Sequence, residues 1–457
     1  MNGIVMRDQN KLQKLIRFAI PAIIESLLVV LLIQVDTYLV SDLGTAAVAS
    51  IALTVQPIKF LMVVFTGICT AITKCVAEAV GRRDQREANA VARYGFLLTL
   101  GLSIVICTVG VLLSDGIIYA CGSNAETHAD AVDYFRIVLM GFIPQNLALY
   151  INAVKRGCQN SRVSLVSNVI GNIVNVVFDL ALIDGLFGFP ALGIRGAAIA
   201  TAIGYLAAFL TSASALFKSK DAVSWKGIWG RRNPCNPTAR KGFLTLSGAL
   251  CLEFLLTKLG FLLISVMTAK IGTTELAMDR VAMPLLDIVF SFGSGIQAAA
   301  LTIVGHSIGQ NCKKDMLEYA DTSIKLGMWV AVVLSALFAI FGSTLILLFF
   351  EDGQIYSEYA SFISGVSAMI VLAQIPQLVL NGILRGAGMG KYTLIISVIS
   401  VLLLQVVGDF VLIYVLDLGL LGKWIGSLSA QVVWVLLLLK KYASLKKEFR
   451  ENQKISE

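Results

Sequence analysis

Long apolar stretches alternate with short polar ones along almost the whole chain. Most apolar stretches reach roughly 20 residues or more, the length that a helix needs to cross the hydrocarbon core of a bilayer. The alternating pattern of outer-membrane strands is absent, so helices are the remaining way to satisfy backbone groups in lipid. The pattern predicts about twelve transmembrane helices, at 16–40, 46–72, 91–114, 131–153, 160–185, 192–217, 243–268, 277–304, 324–350, 358–382, 392–416 and 419–440.

Composition leads to the same fold class. Hydrophobic residues make up 57% of the chain and charged residues only 14%, whereas a soluble domain averages about 25% charged residues. A chain of this length and composition has too little polar surface to cover itself in water. We therefore expect an all-α polytopic membrane protein, with the lipid bilayer as its solvent.

The net charge of +8 is distributed unevenly between the predicted connections. Acidic residues fill the connections at 115–133 and 351–358, and most Lys and Arg residues fall on the other face of the membrane. This asymmetry predicts a multi-pass protein of the cell (inner) membrane with both termini cytoplasmic. The basic surplus is then a determinant of topology, and no nucleic-acid partner is expected. The basic clusters lie at 7–17, 82–93, 155–162, 218–241, 313–314, 385–391 and 440–454.

A nearly constant spacing relates the first half of the chain to the second. It predicts two six-helix lobes, 1–217 and 243–442, with a basic cytoplasmic linker at 218–242 and a cytoplasmic tail at 443–457. Because six is even, both halves enter the membrane from the same side, so the repeat is parallel, as in transporters that bind substrate between two halves. The matched residues are Glu25 with Glu253, Gly44 with Gly272, Gly67 with Gly295, Gly81 with Gly309, Arg156 with Arg385, and Asp179 with Asp409.

Several polar residues lie inside the predicted spans of the first half. An ionisable residue within the membrane is a functional hypothesis by default. Asp36 lies in the first span, Asp179 in the fifth and Thr201 in the sixth, and Asn175 precedes Asp179 by one helical turn, on the same face. Carboxylate, amide and hydroxyl oxygens suit a small hard cation such as Na⁺, and the same carboxylates could carry H⁺ instead. The alternative is a buried hydrogen-bond cluster with a structural role.

The second half retains this outline with one carboxylate fewer, which favours an ion-coupling site in the first half. In the first span, Pro21 removes a backbone donor and is the place where that helix is expected to bend. The repeat aligns Asp36 with Ile264, Asn175 with Gln405, Asp179 with Asp409, and Thr201 with Ser427.

Two further acids, Glu25 and Glu253, occupy equivalent positions in the two halves. Facing each other across a central cavity, they would attract a cationic substrate in a medium of low dielectric constant. Alternatively, each could pair with a buried base, for which Lys59 and Lys258 are available. Both hypotheses stay open.

Taken in order along the chain, these residues resemble the multidrug and toxic compound extrusion (MATE) family of transporters. The resemblance implies two six-helix lobes and alternating access, with export of organic cations or drug-like compounds driven by inward Na⁺ or H⁺. No enzymatic activity and no cofactor are expected, and the protein is expected to be a monomer with small cationic amphiphilic substrates. The residues that carry the resemblance are Pro21, Asp36, Leu43-Gly44, Gly81 to Asp84, Arg156-Gly157, Asn175-x-x-x-Asp179 and Leu192 to Thr201.

The resemblance also suggests where the coupling ion binds. In one branch of the family, acids on the first and fifth spans form the cation site with a neighbouring Asn and a Thr on the sixth span. The matching residues here are Asp36, Asn175, Asp179 and Thr201.

Another branch uses a seventh-span Glu, matched by Glu253, with an acid on the tenth span. Because residues 361–384 contain no Asp or Glu, the first-lobe site is favoured. The alternative function is a lipid-linked oligosaccharide flippase of the same superfamily. Its anionic headgroup would require Arg or Lys in the cavity, whereas the embedded charges here are chiefly acidic.

Overall fold

The structure is a computed structural model that describes the backbone of residues 2–41, 43–219, 221–230, 237–350 and 353–456. Side chains at 2–9, 33, 36, 37, 41, 187, 353–356, 450 and 452–456 lie outside this description. Within it, every regular element is helical. The helices that contribute to membrane spans are α1 (Asn2–Ser41), α2 (Thr45–Gly81), α3 (Gln85–Leu112), α5 (His128–Met140), α6 (Phe142–Gly157), α7 (Arg162–Ile183), α8 (Ile194–Phe217), α10 (Pro237–Ala269), α11 (Thr273–Gly309), α12 (Lys313–Leu347), α13 (Gly353–Gly386), α14 (Gly390–Val398), α15 (Val407–Phe410) and α16 (Gly419–Ser456). Two short helices, α4 (Ser114–Ala120) and α9 (Trp225–Ile228), lie in connections.

The number of spans agrees with the prediction. In the described part of the chain, eleven helical segments are long and apolar enough to cross a membrane, and counting the bent pair α5 and α6 as one span makes twelve. The all-α polytopic fold predicted from the hydrophobic pattern is therefore confirmed.

The fourth span differs from the single helix predicted at 131–153. It is broken at Gly141, where α5 and α6 meet at 43°. Pro144 explains the break, since proline has no N–H to donate and its ring clashes with the carbonyl of Met140 in a continuous helix. Gly141 also lies close to the neighbouring helix, because a Cβ there would be 3.0 Å from the Cα of Ala202.

The eleventh span is not a uniform α-helix either. Between α14 and α15 the backbone is π-helical over Ile399–Val406, and after α15 it is π-helical again over Val411–Val415. One more residue separates Arg385 from Asp409 than separates Arg156 from Asp179 in the first half. An inserted residue is accommodated in a helix by a π-bulge, so the π-helical turns before Asp409 account for this one extra residue.

Contacts divide the chain into two compact units. We call residues 28–251 the first-lobe unit, and residues 1–27 with 252–457 the second-lobe unit. Helices α1 and α10 are therefore each divided between the two units. The lobe boundaries at 217 and 243, which the repeat predicts, stay a prediction about the duplicated sequence and differ from this division.

Equivalent contacts within the two units reflect the repeat. In the first-lobe unit, a Cβ at Gly67 would lie 2.7 Å from the backbone nitrogen of Cys251. In the second-lobe unit, Gly295 has the same relation to Ile23, whose backbone nitrogen would lie 2.6 Å away. Both glycines let a helix of one repeat approach the backbone of a helix from the other repeat closely. The internal duplication is thus visible in packing as well as in sequence.

Candidate functional site

Helices α7 and α8 pack with almost no side chain between them. A Cβ at Gly204 would lie 2.7 Å from the Cβ of Asn175 and 2.9 Å from the carbonyl oxygen of Gly171. On α7, a Cβ at Gly171 would lie 2.9 Å from the Cβ of Ala208. These small residues bring the two backbones together and fix the register of Asn175 against α8.

The two polar side chains of α7 are buried at this interface. Asn175 is 4% exposed and Asp179 is 3% exposed, and their spacing of one helical turn places them on the same face. Both the amide oxygen and the amide nitrogen of Asn175 are buried without a hydrogen bond to any described residue. Since an unsatisfied buried polar group costs about 1–3 kcal/mol, the amide oxygen is a ready ligand for a cation.

Thr201 on α8 lies next to this face. One turn along the antiparallel pair from the contact between Asn175 and Gly204, Asp179 comes level with Ala200 and Thr201. The hydroxyl of Thr201 donates to the carbonyl oxygen of Ala197 at 2.9 Å. Its oxygen lone pairs stay available to accept, so the hydroxyl could serve as a neutral cation ligand.

The end of α1 is attached to the same helix pair by an apolar layer. Val40, Ile183 and Ala197 belong to one buried cluster, and all three lie near the ends of their helices. One turn from this layer, toward the middle of each helix, lie the predicted ligands Asp36, Asp179 and Thr201.

The side chain of Asp36 lies outside the described residues, so its part in the site stays a prediction. Asp36 nevertheless belongs to the first-lobe unit, as do the other three predicted ligands. Its backbone position in α1, one turn from Val40, is at the level that the predicted site requires.

The second-lobe unit contains a related but different arrangement. Gln405 Nε2 donates to Ser427 Oγ at 3.1 Å, so these two polar groups satisfy each other. Asp409 is completely buried and Ile264 is 5% exposed. The outline predicted from the repeat is present, with the isoleucine in place of the first-span acid.

Glu253 lies in a buried network of hydrogen bonds. Its Oε1 accepts from Arg385 Nη2 at 2.8 Å and from Ser397 Oγ at 2.6 Å, and its Oε2 accepts from Thr393 Oγ1 at 2.8 Å. Glu253 is 1% exposed and Arg385 5%, and the guanidinium also lies 4.7 Å from the ring of Phe254. The carboxylate is thus paired with a base, although this base is Arg385 rather than one of the two lysines considered from sequence.

The remaining predicted residues lie in the first half of α1. Pro21 is buried within a helix that runs continuously from Asn2 to Ser41. Glu25, one turn further on, is partly exposed. Bending at Pro21 and substrate contact by Glu25 or Glu253 stay predictions.

Sequence reasoning missed the buried bases of the second-lobe unit. The charge pattern predicts Arg385 in a basic cytoplasmic connection, whereas it is buried at the end of α13. Lys423 lies within the last span, is 1% exposed and donates to Asp279. A lysine inside an apolar stretch, and an arginine repeated in both halves, were the signals that could have identified them.

The donor set suits an alkali cation or a proton better than a transition metal. The described residues contain no group of three or more His, Cys, Asp or Glu side chains that could hold a metal ion. Asn175, Asp179 and Thr201 offer oxygen ligands, which Na⁺ shares with other hard cations. A transported ion of this kind would be cargo rather than a resident cofactor.

The fold and the buried polar groups define a polytopic helical membrane protein with two lobes. A family model described as MatE matches residues 21–181 and 249–411. The chain belongs to the MatE family, as the resemblance had indicated.

Relatives and solved structures cover nearly the whole chain. A protein of Thermotoga maritima called probable multidrug resistance protein NorM is 25% identical over 418 residues, which are 91% of this chain and 89% of the relative. A NorM protein of Rhodopseudomonas palustris with the same name is 26% identical, over 90% of this chain and 87% of the relative. A crystal structure of MATE in the bent conformation superposes with a TM-score of 0.87 at 22% identity, covering 98% of this chain and 99% of the other. An outward-facing multidrug resistance MATE transporter gives 0.88 at 20% identity, with 96% of each chain covered.

Proposed function

We propose that this chain is a secondary active antiporter that exports organic cations or drug-like compounds across the cell membrane, driven by inward movement of Na⁺ or H⁺. The observation that carries the proposal is the buried face of α7, where Asn175 and Asp179 lie beside Thr201 in a chain of the MatE family. The names of the NorM relatives support drug-like substrates. Both termini are proposed to be cytoplasmic, and the working unit is proposed to be the monomer.

The coupling ion is proposed to bind at Asp36, Asn175, Asp179 and Thr201. A proton would neutralise one of the two carboxylates, Asp36 or Asp179. A Na⁺ ion would instead keep them ionised and take the amide oxygen of Asn175 and the hydroxyl of Thr201 as further ligands. Either ion lowers the negative charge of the site, and substrate and ion would then favour different conformations, as antiport requires.

The second-lobe glutamate supports this choice of site. The guanidinium of Arg385 balances the charge of Glu253, and three donors occupy its carboxylate oxygens. A carboxylate that is already neutralised and hydrogen-bonded offers little to a coupling ion. Coupling through the first-lobe unit therefore leaves Glu253 and Arg385 with a structural role.

Proteoliposomes containing the purified full-length protein test this function. A cationic dye is placed on one side, and a Na⁺ gradient or a pH gradient is imposed separately. We expect at least one gradient to drive the dye against its own gradient. Dye movement that never exceeds equilibration would contradict antiport.

The flippase alternative makes a different prediction in the same vesicles. A lipid-linked oligosaccharide flippase would move a labelled anionic lipid between leaflets and leave the cationic dye in place. Lipid movement without coupled dye export would therefore replace the proposed function with the alternative.

A further inference from the structure

Three charged side chains lie buried in one cluster of the second-lobe unit. At the three equivalent positions of the first half, only one residue is charged. Asp279 on α11 is 9% exposed, Lys423 on α16 is 1% exposed, and Asp409 on α15 is completely buried. Lys423 Nζ donates to Asp279 Oδ1 and also lies 4.1 Å from the ring of Trp424. The lysine and Asp279 thus form an ion pair, and Asp409 is not part of it.

The carboxylate of Asp409 receives no hydrogen bond from the part of the chain that the structure describes. Both of its oxygens are buried and make no hydrogen bond with any described residue. Its Oδ1 points at Gly426, since a Cβ at that glycine would overlap the oxygen. Gln405 and Ser427, which the repeat aligns with Asn175 and Thr201, are hydrogen-bonded to each other. An ionised carboxylate in such surroundings would lose several kcal/mol of solvation without compensation.

The charges of this cluster do not cancel. Among the described residues, Lys423 and Asp279 are the charged groups that act on Asp409. With Asp409 the cluster holds two carboxylates and one ammonium. One negative charge is left over and needs an exchangeable cation. A proton requires no further ligands, whereas Na⁺ needs several oxygen ligands.

The backbone around Asp409 differs from that of its first-half counterpart. Asp179 lies on the regular helix α7, whereas Asp409 is flanked on both sides by π-helical turns. Such turns occur frequently at functional sites. The repeat places Ala197 at the position of Lys423 and Ile51 at the position of Asp279, so the built-in ion pair belongs to the second-lobe unit alone.

We propose that Asp409 is a proton-binding site of the second-lobe unit, separate from the first-lobe ion site, and that Lys423 serves as its internal counter-ion. In the resting state the carboxyl of Asp409 is protonated and Lys423 pairs with Asp279. On deprotonation the O–H bond breaks, its electron pair stays on the Asp409 carboxylate, and the proton leaves to the aqueous phase. Lys423 then moves from Asp279 toward Asp409, and Asp279 is left as the ionised group because it is the more exposed of the two acids. The site can be tested without transport, so its failure would leave the proposed antiport function untouched.

The test is pH-induced infrared difference spectroscopy on the full-length protein in lipid. Measurements in Na⁺-free buffer use a background that carries Asp36→Asn and Asp179→Asn, so that the first-lobe acids do not contribute. We expect a protonated-carboxyl C=O band that disappears as the pH is raised and is absent after Asp409→Asn. After Lys423→Gln the band should disappear only at a higher pH, because the Asp409 carboxylate has lost its counter-ion. After Asp279→Asn the band should disappear at a lower pH, because the ammonium of Lys423 is then free to pair with Asp409.

Two controls keep the result decisive. Asp321→Asn removes an acid that accepts hydrogen bonds from Tyr442 at 2.7 Å and Lys446 at 2.6 Å, and it should leave the band unchanged. If Asp409→Asn does not fold, Asp409→Glu should keep a band at a changed frequency. A band that persists in Asp409→Asn, does not respond to pH, or disappears on adding Na⁺ at constant pH would overturn the proposal.

Discussion

Neutralising Glu253 should reveal whether this residue stabilises the fold or couples ion flow. Glu253→Gln keeps the shape of the side chain but leaves the guanidinium of Arg385 buried without a counter-charge. Removing one partner of a buried ion pair costs about 3–5 kcal/mol, on the order of a thousand-fold in the folding equilibrium. Thr393 and Ser397 also lose a charged acceptor. We therefore expect a large fall in the denaturant midpoint of the protein in mixed micelles.

A double-mutant cycle isolates the pair from other effects. Arg385→Met alone leaves the Glu253 carboxylate unbalanced and should be as harmful as Glu253→Gln alone. The double variant removes both charges of this pair, so neither is left buried without its partner, and it should be clearly more stable than the sum of the single losses implies. Glu87→Gln is the matched control, because Glu87 pairs with Arg82 at the surface and such pairs contribute about 1 kcal/mol or less.

The ion-coupling hypothesis predicts a different outcome for the same variants. If Glu253 carried the coupling ion, Glu253→Gln would abolish gradient-driven export with little loss of stability. Additive single effects in the cycle, together with that loss of export, would refute the structural role and move the coupling site to the second lobe.

Three further predictions concern the first-lobe unit and α1. Asn175→Ala removes a neutral oxygen ligand and should reduce Na⁺-driven export far more than H⁺-driven export, as separate gradients in proteoliposomes would show. Pro21→Ala should slow turnover more than it weakens ion binding, as the transport rate and the binding isotherm of the ion would show. A variant with an unchanged transport rate would contradict the bending hypothesis. In the linker, burial opposes ionisation of Asp221, but the hydrogen bond and charge of Lys155 at 2.9 Å lower its pKa below the ordinary value. The pairing of Asp221 with Lys155 therefore contributes to stability above the ordinary pKa of an Asp, and this contribution is lost as the pH falls through the lowered pKa of Asp221. The fluorescence of Trp229 should change only in that acid range. After Lys155→Ala the change should occur at higher pH.

Sequence patterns predicted the parts of this molecule that depend on local periodicity. The apolar stretches were enough to place the spans, and the one-turn spacing of Asn175 and Asp179 was enough to place both on one face of α7. Pro144 could have predicted the break in the fourth span, because its effect on the helix is local too.

The contacts that sequence reasoning missed join residues far apart along the chain. Nothing in the neighbourhood of Glu253 indicates that its base is Arg385, which belongs to a different helix. The pairing of Lys423 with Asp279 is equally non-local. Such partners are selected by the packing of the second-lobe unit, and the two halves differ most at these positions. The repeat therefore predicted the outline of the second-lobe site but not its charges.

The central claim is that ion coupling occurs through the first-lobe carboxylates, and a comparison of three isosteric variants tests it most directly. Gradient-driven dye export is measured in proteoliposomes for Asp36→Asn, Asp179→Asn and Asp409→Asn, each reconstituted to the same protein density. We expect export to fall to the level of empty vesicles for the first two variants, and Asp409→Asn to retain most of it. Equal loss in all three would contradict the account, because the acids would then form a structural network common to both halves.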